Sequence, residues 1–202
     1  MIKYILLIIL ILLSIFFYHN NTTVRVKMDV NYNIKKQWER LFKYYKNDLE
    51  KKCQGVTEKY ILEVEMEFEI KLPKEFSDSF RICNERFTLN TSKKKGWFGE
   101  HDHYSIGETY YGYYDLIEIN KNMRVYNEYW KDEWIAFYDY ETWFYAVLDT
   151  KTGQVYLESA EGGNKIVWAN SYKEWLEMAV NEVLEHGEIR LELIEKLMGI
   201  EI

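Results

Sequence analysis

The chain reads as an α+β domain, a mostly antiparallel twisted sheet flanked by helices and preceded by one N-terminal hydrophobic helix. Three observations predict this. Residues 134–169 carry short aromatic and β-branched runs separated by turn residues, the pattern of successive strands. On either side, residues 34–52 and 171–184 repeat apolar residues at steps of three and four, the spacing of one helix face. Residues 4–18 contain no charge at all.

A chain of 202 residues, 48% of them hydrophobic, can bury one sizeable core, which fits a single domain over residues 34–202 with an appendage in front. In the appendage, YILLIILILLSIFFY holds Ser14 as its one small polar residue and must leave water. Aromatic residues flank it and no small-x-small cleavage site comes after it, so residues 1–18 read as a membrane anchor or uncleaved signal and residues 19–33 as a linker. Lys3 on one side faces Arg25, Lys27, Lys35 and Lys36 on the other. Counting the nearest residues favours an exported domain and counting further favours a cytoplasmic one, so the side of the soluble domain stays open. Lys3 is the one charged side chain before residue 19, so the acidic balance of the chain, −7 overall, resides in the linker and the domain. An acidic domain is unsuited to direct nucleic-acid binding and suits a basic protein partner.

In the first helix, Ile34, Trp38, Leu41, Tyr45 and Leu49 share a face, and Gly55 lies just past its end. Residues 62–72 (LEVEMEFEIKL) alternate apolar and charged residues as a half-buried strand does. Thr57 as N-cap, with Ile61, Val64, Phe68 and Leu72 at helical spacing, fits a helix as well. Pro73 ends either element and can open the short helix 74–83, with Phe76 and Phe80 on one side. Residues 87–99 read as a loop, 104–119 as aromatic strands meeting a bend, and 118–130 as a short helix or irregular crossover.

Residues 134–138 and 143–148 are apolar on both parities, as central strands covered on each face should be. Asp149 to Gly153 supplies a turn into the return strand 154–158, and residues 161–164 turn again into 166–169. Ser171 and Glu174 form a capping box for a helix whose stripe runs Tyr172, Trp175, Leu176, Ala179, Val180, Val183 and Leu184. Gly187 stops or kinks it before a last helix, 189–198. Cys53 and Cys83 are the only cysteines, and their spacing does not decide whether they pair.

In order, the chain thus presents Ile61, Glu65, Phe68, Ile70, Leu72 and Pro73, then Phe76 and Phe80, then Trp134-Ile-Ala-Phe137, then Tyr145 to Asp149 with Gly153-Gln-Val-Tyr156, then Ala169 to Leu176. This succession resembles the SUKH superfamily, the broad group that includes the fungal Smi/Knr cell-wall regulators and many bacterial immunity proteins. The resemblance implies a helix ahead of Leu-Pro, so residues 58–70 are expected to be helical against their period of two. It implies a non-enzymatic immunity protein that binds and neutralises a cognate polymorphic toxin, such as a basic nuclease-type effector, and the apolar residues 4–18, read as an anchor, add the expectation that it does so at a membrane. The fungal branch implies the alternative, a membrane-tethered scaffold or regulator of cell-envelope assembly. Two features depart from the family pattern: Cys83-Asn84-Glu85 stands where Asn-Gly is usual, and the membrane segment is an addition.

Little in the chain offers chemistry. His101 and His103 could share a strand face toward a metal ion, but no third distant ligand is signalled and the run reads as an exposed polar loop. No cofactor motif is present, no nucleophile has an activating histidine nearby in a known arrangement, and Asp132, Glu133, Asp139 and Glu141 show no converging pair. Large aromatics set among carboxylates are instead suited to a protein interface. The expected partner-binding residues are Tyr111, Tyr114, Asp115, Trp130, Asp132, Glu133, Asp139 and Glu141.

Overall fold

A computed structural model describes residues 30–45, 53, 55–84, 102–103, 116–140, 144–159, 162–163, 165–187 and 189–190. Its helices are α1 (Tyr32–Tyr44), α2 (Glu58–Phe68), α3 (Lys74–Ile82), α4 (Leu116–Tyr126) and α5 (Tyr172–His186). Its strands are β1 (Asp102–His103), β2 (Trp134–Tyr140), β3 (Phe144–Asp149), β4 (Val155–Ser159) and β5 (Lys165–Ala169), in the spatial order of the chain and all antiparallel. The α+β class expected from the sequence is the one observed, with β1 a short pairing on the edge of an open sheet of four longer strands.

The segment with two readings is helical. Ile61, Val64 and Phe68 of α2 turn inward and are buried, which satisfies the helical face and leaves Glu63 and Glu67 to water. Glu69 ends the helix in the left-handed region at φ 55°, a conformation that costs a residue other than glycine about 1 kcal/mol. Glu65 holds that reversal: its Oε1 accepts from Leu72 N at 3.0 Å, and its Oε2 meets Lys71 Nζ at 2.5 Å. The glutamate that marks the family pattern therefore fastens the chain where it turns into Leu72-Pro73.

Helices α1, α3 and α5 form the layer on one face of the sheet, joined at Ser79. Trp38 Nε1 and Tyr172 Oη both donate to Ser79 Oγ at 2.8 Å. Burial pushes the Tyr172 phenol well above its ordinary range, and the bond to Ser79 only partly opposes this. Below them Phe137 meets Phe76, Tyr172 and Trp175 edge-on, with centroids 5.4, 5.4 and 4.7 Å apart. The opposite face is closed too, since β3 is buried on both parities from Tyr145 to Asp149. This agrees with the two-sided apolar pattern of these strands.

Local signals place the turns and caps. Asp149 Oδ1 accepts from Lys151 N and Thr152 N, and Gly153 takes φ 79°. Ser171 Oγ accepts from Glu174 N at 3.1 Å, while the Glu174 carboxylate reaches back to Asn170 N rather than to Ser171. Gly187 closes α5 at φ 85°.

Several expectations are corrected. Residues 116–119 open α4 instead of ending a strand, because Leu116, Ile119, Asn120 and Met123 form one buried helical face. Asp102 and His103 pair with Asp139 and Tyr138 as a strand, not as a loop. Ile189 and Arg190 are not helical; Ile189 is buried and Arg190 Nε donates to Glu182 Oε2 at 3.0 Å. The first helix is described to Tyr44, with 46–52 outside the described residues. The remainder of the last helix, the loop 87–99, His101, residues 104–115 and the apolar segment 4–18 also lie outside them. Among the described residues no helix is long and apolar enough to cross a membrane.

Candidate partner-binding cleft

Between α4 and β2 the chain makes two tight turns that set the position of the acidic pair Asp132 and Glu133. Asn127 Oδ1 accepts from Tyr129 N at 2.9 Å, and Trp130 N donates to Asn127 O at 3.0 Å. The β4–β5 turn presses on this loop, for a Cβ on Gly162 would stand 2.5 Å from Asn127 Oδ1. Trp130 turns inward, its ring edge-on to Trp134 at 5.8 Å. Lys165 Nζ lies 4.7 Å from the Trp134 ring and 4.6 Å from that of Tyr156. Beside it, burial raises the Glu158 carboxyl above its ordinary range, opposed by Lys165 and by the Gly163 N–H.

On the other side of the loop a cleft of about 930 Å³ opens. The end of α2 and its reversal line it with Glu67, Phe68, Glu69, Ile70 and Lys71. From α4 come Lys121, Arg124 and Val125, and Asp132, Glu133, Thr150 and Lys151 complete it. Arg124 is its fixed point. Its guanidinium donates to Asn120 O at 3.1 Å, Asp132 O at 2.7 Å and Trp134 O at 3.1 Å, and stacks 4.1 Å from the Phe68 ring. Burial lowers its pKa, and the Asp132 charge opposes that shift.

Two of the other cations pair across element boundaries. Lys121 Nζ reaches Glu67 Oε1 at 2.7 Å, tying α4 to α2, and Lys151 Nζ reaches Glu133 Oε2 at 3.5 Å, tying the β3–β4 turn to the start of β2. Thr150 N and Oγ1 also donate to Glu133 O, at 3.0 and 2.9 Å. Lys71, Lys121, Arg124 and Lys151 thus face Glu67, Glu69, Asp132 and Glu133, so the cleft presents both signs rather than an acidic wall. Val125, which lines it, is 72% exposed.

Of the residues expected at the partner surface, Asp132 and Glu133 enter this cleft and Trp130 packs behind it. Asp139 sits toward the other end of β2, in register with Tyr145, about 20 Å along the strand from Glu133. There burial, aided by the Asp139 charge, pushes the Tyr145 phenol up to about 12. Tyr111, Tyr114, Asp115 and Glu141 lie outside the described residues. Sequence reasoning missed Lys71, Lys121, Arg124 and Lys151, which are scattered along the chain and share no local motif. Among the described residues no three His, Cys, Asp or Glu side chains group to hold a metal ion.

An open antiparallel sheet backed by helices, with a charge-paired cleft between α2 and α4, defines a domain of the α+β class. Residues 55–178, more than half of the chain, match the model of the SMI1 / KNR4 family (SUKH-1), and the chain belongs to that family. Its members are immunity proteins for polymorphic toxins and are generally non-catalytic. The match runs from Gly55 into α5, so it takes in α2, the Leu-Pro junction and the four longer strands. In a comparison with curated proteins nothing matches the chain.

Proposed function

We propose that this protein binds and neutralises a cognate polymorphic toxin by occlusion, docking it at the α2–α4 cleft, and that residues 4–18 hold the complex at a membrane. The observation that carries the cleft is its pre-organised charge: Arg124 is locked by three carbonyls and a ring, and the cleft's ion pairs join different elements. Side chains already held in place lose little freedom when a partner arrives, and mixed charges fix its register. The overall charge of −7 would raise the encounter rate with a basic effector.

Lys121→Glu tests the docking surface. Lys121 and Glu67 are each about half exposed, so the fold should lose no more than about 0.5 kcal/mol. Toxin binding measured by calorimetry is expected to weaken at least about tenfold, with recovery in the Lys121→Glu, Glu67→Lys double variant. An unchanged Kd would exclude the cleft. The membrane part is checked separately: after alkaline carbonate washing, the full chain is expected in the membrane pellet, and its recovery in the supernatant would remove residues 4–18 as an anchor.

A further inference from the structure

Cys53 and Cys83, the only cysteines of the chain, are joined in a disulfide that spans 30 residues, with Cα atoms 4.8 Å apart. That separation is set by the fold around the pair. Val56 N donates to Phe80 O at 3.0 Å, laying the approach to α2 along the end of α3. Gly55 lies so near that a Cβ there would stand 1.8 Å from Arg81 O. Cys83 itself caps α3, donating to Ser79 O at 3.0 Å, and is 3% exposed. Backbone packing thus presents one thiol to the other at disulfide distance, with Cys83 in the core and Cys53 partly buried against it.

Such a bond persists where the surroundings oxidise thiols, whereas cytosolic thiol systems keep cysteines reduced. Charges around residues 4–18 leave both orientations open, and the disulfide bears on the same question from within the domain. We infer that the folded domain faces the oxidising side of the membrane, away from the cytosol, so that its partner is met there. This rests on the proposed membrane role of residues 4–18. The bond forms by exchange with a disulfide-bearing thiol oxidoreductase of that compartment. One Cys thiolate attacks a sulfur of the oxidant and displaces a thiolate. The second Cys thiolate then attacks the mixed disulfide, and two electrons and two protons end on the oxidant as a dithiol.

The test uses the full chain in cells that produce it. Acid quenching, denaturation and labelling with maleimide-coupled polyethylene glycol are expected to add nothing before reduction and two adducts after dithiothreitol. Two adducts before reduction on most molecules would overturn the inference. In intact spheroplasts, added protease is expected to digest the domain, and full protection would likewise overturn it. No toxin enters either measurement, so a negative result leaves neutralisation at the cleft standing. A negative Lys121→Glu result conversely leaves the compartment standing, and carbonate extraction isolates failure of the anchor itself.

Discussion

Asn120→Leu is expected to cost about 4 kcal/mol and to lower the thermal midpoint by about 10 °C. Asn120 lies on α4, fully buried, and its side-chain amide acts as an extra strand for β2. Its Oδ1 accepts from Ala136 N at 2.7 Å, and its Nδ2 donates to Ala136 O and Leu116 O at 2.8 Å each. Ala136 is where β2 breaks register with β3, at the irregularity before Tyr138. Leucine has the volume but neither polar group, so the Ala136 N–H and C=O would be left buried without these bonds. Each orphaned group costs about 1–3 kcal/mol, whereas Leu116 O can keep a helical partner. Urea unfolding monitored by circular dichroism measures the loss, and a value below about 1 kcal/mol would show that the bulge is held by something else. Asn120→Asp should also destabilise at neutral pH, because it keeps the acceptor while placing a second oxygen against two carbonyls.

Gly55→Ala is the second large effect, expected at about 3 kcal/mol. The cause is space, not backbone freedom. The added methyl carbon would stand 1.8 Å from Arg81 O, 2.5 Å from Arg81 C and 3.2 Å from Arg81 Cα, all main-chain atoms of α3 that cannot rotate away. Relief requires the segment before α2 to lift, which breaks the Val56–Phe80 bond and draws Cys53 from Cys83. The purified variant should therefore unfold at lower urea, and its disulfide should be reduced faster by dithiothreitol than that of the parent. Parent-like stability with unchanged reduction kinetics would refute the close packing.

Gly55 also shows what a chain reveals when read alone. Its place after an apolar helical stripe marks it as a helix stop, yet its structural duty is to let one backbone lie against another that is remote in sequence. Asn120 and Arg124 sit in a stretch that reads as a short helix or irregular crossover, and nothing local distinguishes them from solvent-facing polar residues. The cleft was half legible. Asp132 and Glu133 stood out as carboxylates among aromatics, but the cations that face them come from the end of α2, from α4 and from the β3–β4 turn. Asp139 carried the same signal and lies at the far end of the strand.

What the sequence determined by itself was whatever is decided within a few residues. Ser171 and Glu174 capped α5, Asp149 and Gly153 made their turn, and the stripe from Tyr172 found its core. Such features depend on helix and strand periods and on single-residue backbone preferences, which act before any distant contact forms. Tertiary structure decided the rest. The period-two run before Leu-Pro became a helix because Ile61, Val64 and Phe68 meet a core that other segments supply. The cysteines paired because α3 and the approach to α2 pack together, and the cleft exists because Arg124 is held between α2 and the start of β2. Packing joins residues by distance in space, and that distance is fixed only when the whole chain has closed.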